Sequence, residues 1–307
     1  MPASLARTID WRALGFGLAF ATIWSSAFTS SRIVVEYWPP FLVLSVRFLL
    51  SGLLALGIGF AAGQRIRLTP AEWRAVVVFG ICQNALYLGL FHFAMQTVEA
   101  GLASILASAL PLCVAALGRV FLGQRLPAVA VAGLFVGFAG VLVIMTGRLG
   151  HGLDWGGVAA CITGVVALAV ATLTLRNAAA SGNLWIVVGL QMLVGAVALF
   201  PASVLLETWQ VTVNGRFLVA LAYSSIVSGV IATMIWFILV RRIGATRAAT
   251  FHFPNPFLGV LIAAAVLGEH VTTRDLVGVA IIMAGILAVQ LARAAPPPRV
   301  PVADPAA

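Results

Sequence analysis

The sequence contains no lysine and few charged residues of either sign. Only 9% of its 307 residues are charged, whereas soluble domains average about 25%. Hydrophobic residues make up 62% of the chain, and the mean hydropathy is +1.10. This composition excludes an ordinary soluble protein and predicts an integral membrane protein. The absence of lysine also excludes a Walker-type ATPase, because the phosphate-binding loop needs a lysine to reach the nucleotide.

Acidic residues are equally scarce and lie at the ends of apolar stretches, between them or in the tail. The nine are Asp10, Glu36, Glu72, Glu99, Asp154, Glu207, Glu269, Asp275 and Asp304. No apolar stretch holds paired carboxylates, a His-Glu-x-x-His sequence or a Gly-x-Ser-x-Gly turn, so no enzyme is predicted. Cys82, Cys113 and Cys161 lack metal-ligand spacing and are expected to be small buried hydrophobes. No cofactor or metal is predicted.

Ten apolar stretches are long enough to cross a bilayer. They cover residues 13–34, 41–62, 74–95, 100–121, 128–146, 155–175, 184–206, 217–240, 245–267 and 275–292. The breaks between them are short and rich in turn residues, so none can hold a soluble domain. The first stretch has no clear small-residue cleavage site, which favours a retained helix over a signal peptide. Residues 294–307 are proline-rich and predict a disordered tail.

The positions of the arginines predict the orientation of these helices. With the amino terminus inside, thirteen of the eighteen arginines fall on the cytoplasmic side and four outside, while Arg47 lies within the second span. Basic residues collect in cytoplasmic loops, so both termini are predicted to be cytoplasmic. This bias accounts for the net charge of +9 without a nucleic-acid partner, and a lipid bilayer is the expected surrounding.

The sequence matches itself at a shift of 144 to 145 residues. The matched residues are Trp11 with Trp155, Arg32 with Arg176, Pro111 with Pro256, Gly133 with Gly278, Gly140 with Gly285, and Leu122-Gly123-Gln124-Arg125 with Leu267-Gly268-Glu269-His270. Each copy, residues 1–147 and 148–293, holds five spans, and an odd number makes the second copy enter the membrane from the opposite side. The predicted fold is an all-α polytopic membrane protein with ten transmembrane helices in two inverted five-helix repeats.

Three short motifs carry a family resemblance. They are Trp24-Ser25-Ser26-Ala27-Phe28 in the first span, Leu-Gly-Gln-Arg-Leu at the end of the fourth and Leu-Gly-Glu-His-Val at the end of the ninth. Over residues 11–292 the chain resembles the EamA-type transporters of the drug/metabolite transporter superfamily, and within it the YddG-type bacterial exporters of aromatic amino acids. The resemblance implies an inner-membrane exporter of amino acids. The family usually has an acidic residue where this chain has Gln124, which weakens any chemical role for that position.

Polar side chains inside a bilayer are costly, so those that remain are candidates for a substrate cavity. One face of the third span combines hydrogen-bonding and aromatic groups, and the matching face of the eighth span does the same. The ninth span is interrupted by two prolines, which free backbone carbonyls near the membrane middle. The predicted substrate-binding residues are Trp24, Asn84, Tyr87, Phe91, His92, Ser228, Trp236, His252 and Asn255, and the predicted helix breaks are Pro111, Pro254 and Pro256.

Each of these assignments has a structural alternative. Asn84, Tyr87 and His92 would instead bridge neighbouring helices, and Gln191 is expected to do so. The prolines would be packing kinks. Arg47 is expected to extend its guanidinium to the membrane surface, with recognition of a substrate carboxylate as the alternative.

The predicted cavity lies among spans 1, 3, 4, 6, 8 and 9, and the glycine-rich spans 5 and 10 are expected at the periphery or between protomers. Its aromatic and neutral polar groups favour a small zwitterion with an apolar or aromatic side chain, most plausibly an amino acid. A multidrug or lipophilic-cation exporter of the same fold is the first alternative, and a channel or structural membrane protein is the second. The sequence makes no prediction of oligomeric state.

Overall fold

The computed structural model describes residues 11–123, 127–148, 153–174, 183–243 and 249–294. Within these ranges the regular structure is entirely helical. The helices are α1 (Trp11–Val35), α2 (Pro40–Ala61), α3 (Pro70–Ala94), α4 (Ala100–Ala107 and Leu110–Leu122), α5 (Ala128–Arg148), α6 (Trp155–Thr174), α7 (Leu184–Leu206), α8 (Gly215–Ala222, Tyr223–Ile231 and Ala232–Ile243), α9 (Asn255–Leu267) and α10 (Thr273–Ala294).

The ninth span is shorter than the sequence predicts. Among the described residues nine helical spans have the length and apolar composition to cross a membrane, and α9 has only 13 residues. A single 3₁₀ turn, Ala249–His252, precedes it. The helix begins at Asn255 because Pro254 occupies the cap position and Pro256 the first turn, where a missing N–H costs nothing. The expected span 245–267 is therefore wrong at its start, and residues 244–248 lie outside the described residues.

Local sequence accounts for several helix ends. Thr69 and Glu72 form a reciprocal capping box at the start of α3, and the Asn214 side chain accepts the Phe217 N–H at the start of α8. Gly123 and Gly268 end α4 and α9 in the left-handed conformation, with φ of 60° and 70°, which glycine adopts without a Cβ clash. These two glycines also correspond in the sequence repeat.

Two π-helical segments interrupt α3 and α8 at matching positions. Gly80–Leu88 and Tyr223–Ile231 each have nine residues, and they lie 143 positions apart in the chain. Segments of this kind widen the helix and occur frequently at functional sites. They were not predicted, because a π turn leaves no composition or period that a hydropathy pattern detects.

The helix contacts are matched between the two halves of the chain. Corresponding helices pack on each other in three pairs, α2 with α7, α4 with α9, and α5 with α10. In addition α1 lies against α8 and α9, as α6 lies against α3 and α4. A Cβ added to Gly133 or Gly140 would lie 2.8 Å from a carbonyl oxygen of α10, so the glycines allow α5 and α10 to pack closely. These two helices form an outer pair with few contacts to the rest.

Side-chain hydrogen bonds connect helices at both ends of the bundle, which are named here after the ends of α1. At the Val35 end, the Glu207 carboxylate accepts the N–H groups of Phe41 and Leu42 in the first turn of α2. At the Trp11 end, the Gln64 side-chain carbonyl accepts those of Trp185 and Ile186 in the first turn of α7.

Glu269 makes a further bond pair at the Val35 end. It follows α9 and accepts the N–H groups of Ala100 and Gly101 at the start of α4, at 2.7 and 2.8 Å. All three side chains satisfy N–H groups that a helix leaves without intrahelical partners.

Candidate functional site

An aromatic cluster lies where α1, α8 and the start of α9 meet. The Phe20 ring centroid is 5.5 Å from that of Trp24 and 5.0 Å from those of Trp236 and His252. The His252 ring meets Trp24 edge-on at 5.8 Å and Trp236 at 5.1 Å. Trp24, Trp236 and His252 are only partly buried, so their rings are partly accessible. Tilted and edge-to-face pairs at these separations are favourable aromatic geometries.

Polar groups border this aromatic cluster on the α9 side. The Asn255 side-chain nitrogen lies 3.0 Å from His252 Nδ1, and Asn255 Oδ1 is buried without a hydrogen-bond partner. The Asn255 backbone carbonyl accepts the hydroxyls of Ser25 and Ser104, at 3.4 and 3.3 Å. The break before α9 therefore presents one amide oxygen, one imidazole and one carbonyl beside the rings.

An open groove reaches the same region from the Trp11 end. It has a volume of about 620 Å³ and is lined by Arg12, Gly15, Phe16 and Arg242. Phe16 also packs in the apolar cluster that contains Trp236. The groove is therefore lined by two arginines and one aromatic ring.

Tyr87 and Phe91 lie in a second aromatic group, away from the groove. Their ring centroids are 4.7 Å apart, and Phe91 contacts Phe28 of α1 at 6.0 Å. Both side chains are buried, and a Cβ on Gly164 of α6 would lie 3.1 Å from the Phe91 ring. In this conformation they form the packing core between α1, α3 and α6.

Asn84 bridges two helices, as the alternative interpretation had it. Its side-chain nitrogen donates to the Gln191 carbonyl of α7 at 2.8 Å, and a Cβ on Gly195 would lie 2.5 Å from the Asn84 Cβ. Contact of Asn84 with substrate stays a prediction. The side-chain amide satisfies a polar group between packed helices, a role that the face of α3 alone does not reveal.

Arg47 departs most clearly from expectation. Its side chain is 5% exposed, so it does not extend to the membrane surface. Its Nε donates to the Ser224 carbonyl of α8 at 3.1 Å, and Cζ lies 5.7 Å from the Phe48 ring centroid. The π-helical segment of α8 supplies that carbonyl, which explains why the sequence pattern did not place the guanidinium inside.

His92 and Ser228 are also buried. His92 Nδ1 is 2.8 Å from the Leu88 carbonyl, while His92 Nε2 and Ser228 Oγ are buried without partners. The predicted break at Pro111 lies at the start of the second piece of α4, directly after the helix is interrupted at residues 108 and 109. No cluster of three His, Cys, Asp or Glu side chains suited to a metal occurs in the described part of the chain.

Sequence reasoning missed Phe20 and the three capping side chains, Gln64, Glu207 and Glu269. Phe20 lies one helical turn before Trp24 on the same face of α1, which was the available indication. The three capping side chains bond to residues more than 100 positions away in the chain. No local motif marks them, so only the helix packing reveals them.

Comparison with known proteins adds an independent observation. The model of a family described as "EamA-like transporter family" matches residues 11–146 and again 155–291. An "Uncharacterized inner membrane transporter YedA" of Escherichia coli (strain K12) is 25% identical, with 91% of each chain covered. A "Probable amino-acid metabolite efflux pump" of Salmonella typhimurium is 26% identical, covering 88% of this chain and 91% of that protein.

The bacterial relatives extend beyond the enterobacteria, and the fold has been solved. An "Uncharacterized transporter YvbV" of Bacillus subtilis is 26% identical over 88% of both chains. A solved crystal structure covers 92% of this chain and 98% of its own, with a TM-score of 0.66 and 23% identity. At that identity the likeness shows a shared fold.

Proposed function

The chain belongs to the EamA-like transporter family, and on this premise we propose that it is a bacterial inner-membrane secondary transporter that exports amino acids with aromatic or apolar side chains. The observation that carries the proposal is the cluster of Phe20, Trp24, Trp236 and His252 beside the basic groove. The groove opens at the Trp11 end, and alternating access requires a site that opens to one side of the membrane at a time. The inner-membrane relative in Escherichia coli supports the location.

The chemistry of the cluster favours a zwitterion with an apolar ring. Aromatic walls stack on such a side chain, while the neutral Asn255 amide fixes its orientation. The Salmonella relative, described as a probable amino-acid metabolite efflux pump, supports this class of cargo, as does the resemblance to YddG-type exporters. Sugar phosphates and nucleotide sugars would need several buried cationic groups, and Arg47 is the one buried arginine among the described residues.

A lipophilic cation is the rival cargo, because aromatic faces attract cations. The described helices argue against it. Their acidic residues are Glu72 and Asp275, each in the first turn of its helix, so none lies beside the aromatic cluster.

The matched helix contacts support an inverted pair of five-helix copies, residues 1–147 and 148–293, related by a pseudo-twofold axis in the membrane plane. The site then lies where the copies meet, between α1 of the first and α8 and α9 of the second. Residues 295–307 of the predicted disordered tail lie outside the described residues.

Orientation follows from the arginine distribution, which places the Trp11 end and both termini in the cytoplasm. We predict that, in a variant without native cysteines, an impermeant maleimide applied to intact spheroplasts labels a cysteine at the exposed Gln96 and leaves one at the exposed Ile66 unlabelled. Permeabilised membranes, in which both sites react, are the control. Labelling of Ile66 alone would invert the orientation.

Counterflow in liposomes tests the cargo. Purified protein is expected to exchange labelled tryptophan and phenylalanine, and Trp236→Ala should slow this exchange about 3- to 10-fold, because a ring contact contributes about 0.5–1.5 kcal/mol. Alanine exchange should change less, since its methyl group reaches no ring.

Trp155→Ala is the matched control, since Trp155 is 57% exposed at the start of α6. It should leave tryptophan counterflow unchanged. Rapid exchange of ethidium with no exchange of any amino acid would contradict the proposal and establish the multidrug alternative.

A further inference from the structure

Four helices that contact one another, α1, α2, α3 and α8, each carry a buried polar side chain outside the aromatic cluster. Thr29, Arg47, His92 and Ser228 are each at most 6% exposed. Three of them, Thr29 Oγ1, His92 Nε2 and Ser228 Oγ, have no hydrogen-bond partner. Buried polar atoms are normally satisfied, because an unmade bond costs about 1–3 kcal/mol. Several unsatisfied atoms on adjoining helices point to a ligand that completes them.

Arg47 has the largest unused hydrogen-bonding capacity. A guanidinium has five N–H donors, and the structure uses one, from Nε to the Ser224 carbonyl. No carboxylate of the described residues pairs with it. A buried charge without a counter-charge is strongly unfavourable. The planar fork of arginine fits the paired oxygens of a carboxylate or a phosphate, and the proposed amino acid cargo supplies a carboxylate. The unmet partner is therefore a carboxylate.

His92 offers the complementary group. Because the Leu88 carbonyl can only accept, His92 Nδ1 must donate to it, and the neutral ring then has a lone pair at Nε2. α2 packs against the last turns of α3, so Arg47 and His92 lie on adjoining helices. An ammonium would donate to Nε2, and because the carboxylate of the same zwitterion pairs with Arg47, the bound amino acid adds no net charge to the site.

We propose that Arg47 and His92 bind the two ends of an amino acid head group, Arg47 the carboxylate and His92 the ammonium. The inference rests on the proposed function, which supplies a zwitterionic cargo. Thr29 lies five residues beyond Trp24 on α1, roughly 8 Å of helix rise towards the Val35 end. A head group held at that level would place the side chain of the same amino acid within reach of the aromatic cluster.

The test compares tryptophan with two analogues that each lack one charged group. Tryptamine lacks the carboxylate, and indole-3-propionate lacks the ammonium. Inhibition of labelled tryptophan counterflow by each unlabelled compound is measured in liposomes. The proteins compared are wild type, Arg47→Met, Arg47→Lys and His92→Phe. Arg216→Met is the matched control, because Arg216 is about half exposed and pairs with Glu36 at the Val35 end. Size-exclusion profiles and thermal unfolding establish which variants are folded.

Wild type is expected to prefer tryptophan over tryptamine at least about tenfold, since a charged hydrogen-bonded pair contributes about 1.5–3 kcal/mol. Arg47→Met should remove that preference, Arg47→Lys should retain part of it, and Arg216→Met should leave it unchanged. His92→Phe should weaken tryptophan more than indole-3-propionate.

The outcomes that overturn the two proposals differ. A folded Arg47→Met variant that retains the full preference for tryptophan would overturn the head-group site and leave amino acid export intact. Wild-type exchange of indole-3-propionate but no amino acid, abolished in Arg47→Met, would support the carboxylate site and overturn the amino acid cargo. Exchange of ethidium alone would overturn both. If Arg47→Met fails to fold, the analogue series in wild type decides, since equal wild-type affinity for tryptophan and tryptamine overturns the site.

Discussion

Gln64 and Glu207 hold matching positions in the two halves of the chain, at opposite ends of the bundle. Gln64 follows α2 and caps the start of α7, while Glu207 follows α7 and caps the start of α2. The geometry is reciprocal, but the chemistry differs. The Trp11 end has a neutral amide, and the Val35 end has a carboxylate that also accepts the Ser203 hydroxyl at 2.7 Å.

The helix pair α4 and α9 extends the same comparison. Glu269 caps α4 at the Val35 end, and its counterpart in the first half of the sequence is Gln124. Gln124 and the residues at the start of the ninth span lie outside the described residues. In both helix pairs the sequence therefore has glutamate on the Val35 side and glutamine on the Trp11 side.

This difference indicates which end is held more firmly. Hydrogen bonds to an ionised acceptor are roughly twice as strong as neutral ones, and a helix start favours negative charge. The Val35 end accordingly has the two carboxylate caps, Glu207 and Glu269, whereas the open groove lies at the Trp11 end. Two copies of one helix arrangement thus differ in the chemistry of their caps, and Glu207 is expected to hold its end more firmly than Gln64.

Removal of each cap by alanine substitution should give the largest contrast. Glu207→Ala is expected to lower the free energy of unfolding by about 2 kcal/mol, because it removes charged bonds to two N–H groups, and Gln64→Ala by about 1 kcal/mol, as for a neutral cap. Thermal unfolding of the purified variants in detergent measures both values. Glu207→Gln should fall between them.

Accessibility from the Val35 end supplies the control for this contrast. A cysteine at Thr29, which is 4% exposed, should react faster with a maleimide at that end in Glu207→Ala than in wild type, and no faster in Gln64→Ala. Equal destabilisation by the two alanine variants, or faster labelling in Gln64→Ala, would show that the amide and the carboxylate close their ends equally well.

Hydropathy and composition were sufficient to predict the membrane location, the helical class and the family. These follow from properties that a single chain displays residue by residue, such as 62% hydrophobic content and repeated motifs. The family match and the nine long apolar spans in the described residues confirm the membrane and transporter assignments. The specific cargo stays a prediction.

The site was harder to predict because its members depend on helix rotation and on contacts across the chain. The hydrophobic period of α3 placed Asn84 and Tyr87 on one face. In the structure the Asn84 side chain bonds to α7, whereas α6 packs against α3 in the region of Tyr87. Arg47 lies near the end of α2, which suggested that its guanidinium reaches the membrane surface. In the structure the Ser224 carbonyl, in the π-helical segment of α8, accepts a hydrogen bond from Arg47 in the interior. A pattern along one helix gives no information about which neighbour covers that face.

The smallest expected effect concerns Glu269 and sharpens the comparison through pH. Burial raises the pKa of the Glu269 carboxyl above its ordinary value, although the N–H groups of Gly101 and Ala100 act in the opposite direction. A raised pKa means that the folded protein binds the proton more readily than the unfolded chain, so this contribution to stability is present at low pH and is lost as the pH rises through the raised value. Glu269→Gln, which introduces the residue of the first half, keeps an acceptor for both N–H groups and cannot titrate. The unfolding temperature of wild type should therefore fall relative to that of Glu269→Gln as the pH increases from below the ordinary glutamate range to neutrality.

Glu72→Gln is the control, because Glu72 caps α3 at an exposed position, and it should not reproduce this change. If wild type and Glu269→Gln instead kept a constant difference in unfolding temperature across the whole range, Glu269 would act only as a hydrogen-bond acceptor, and its charge would not distinguish the two ends.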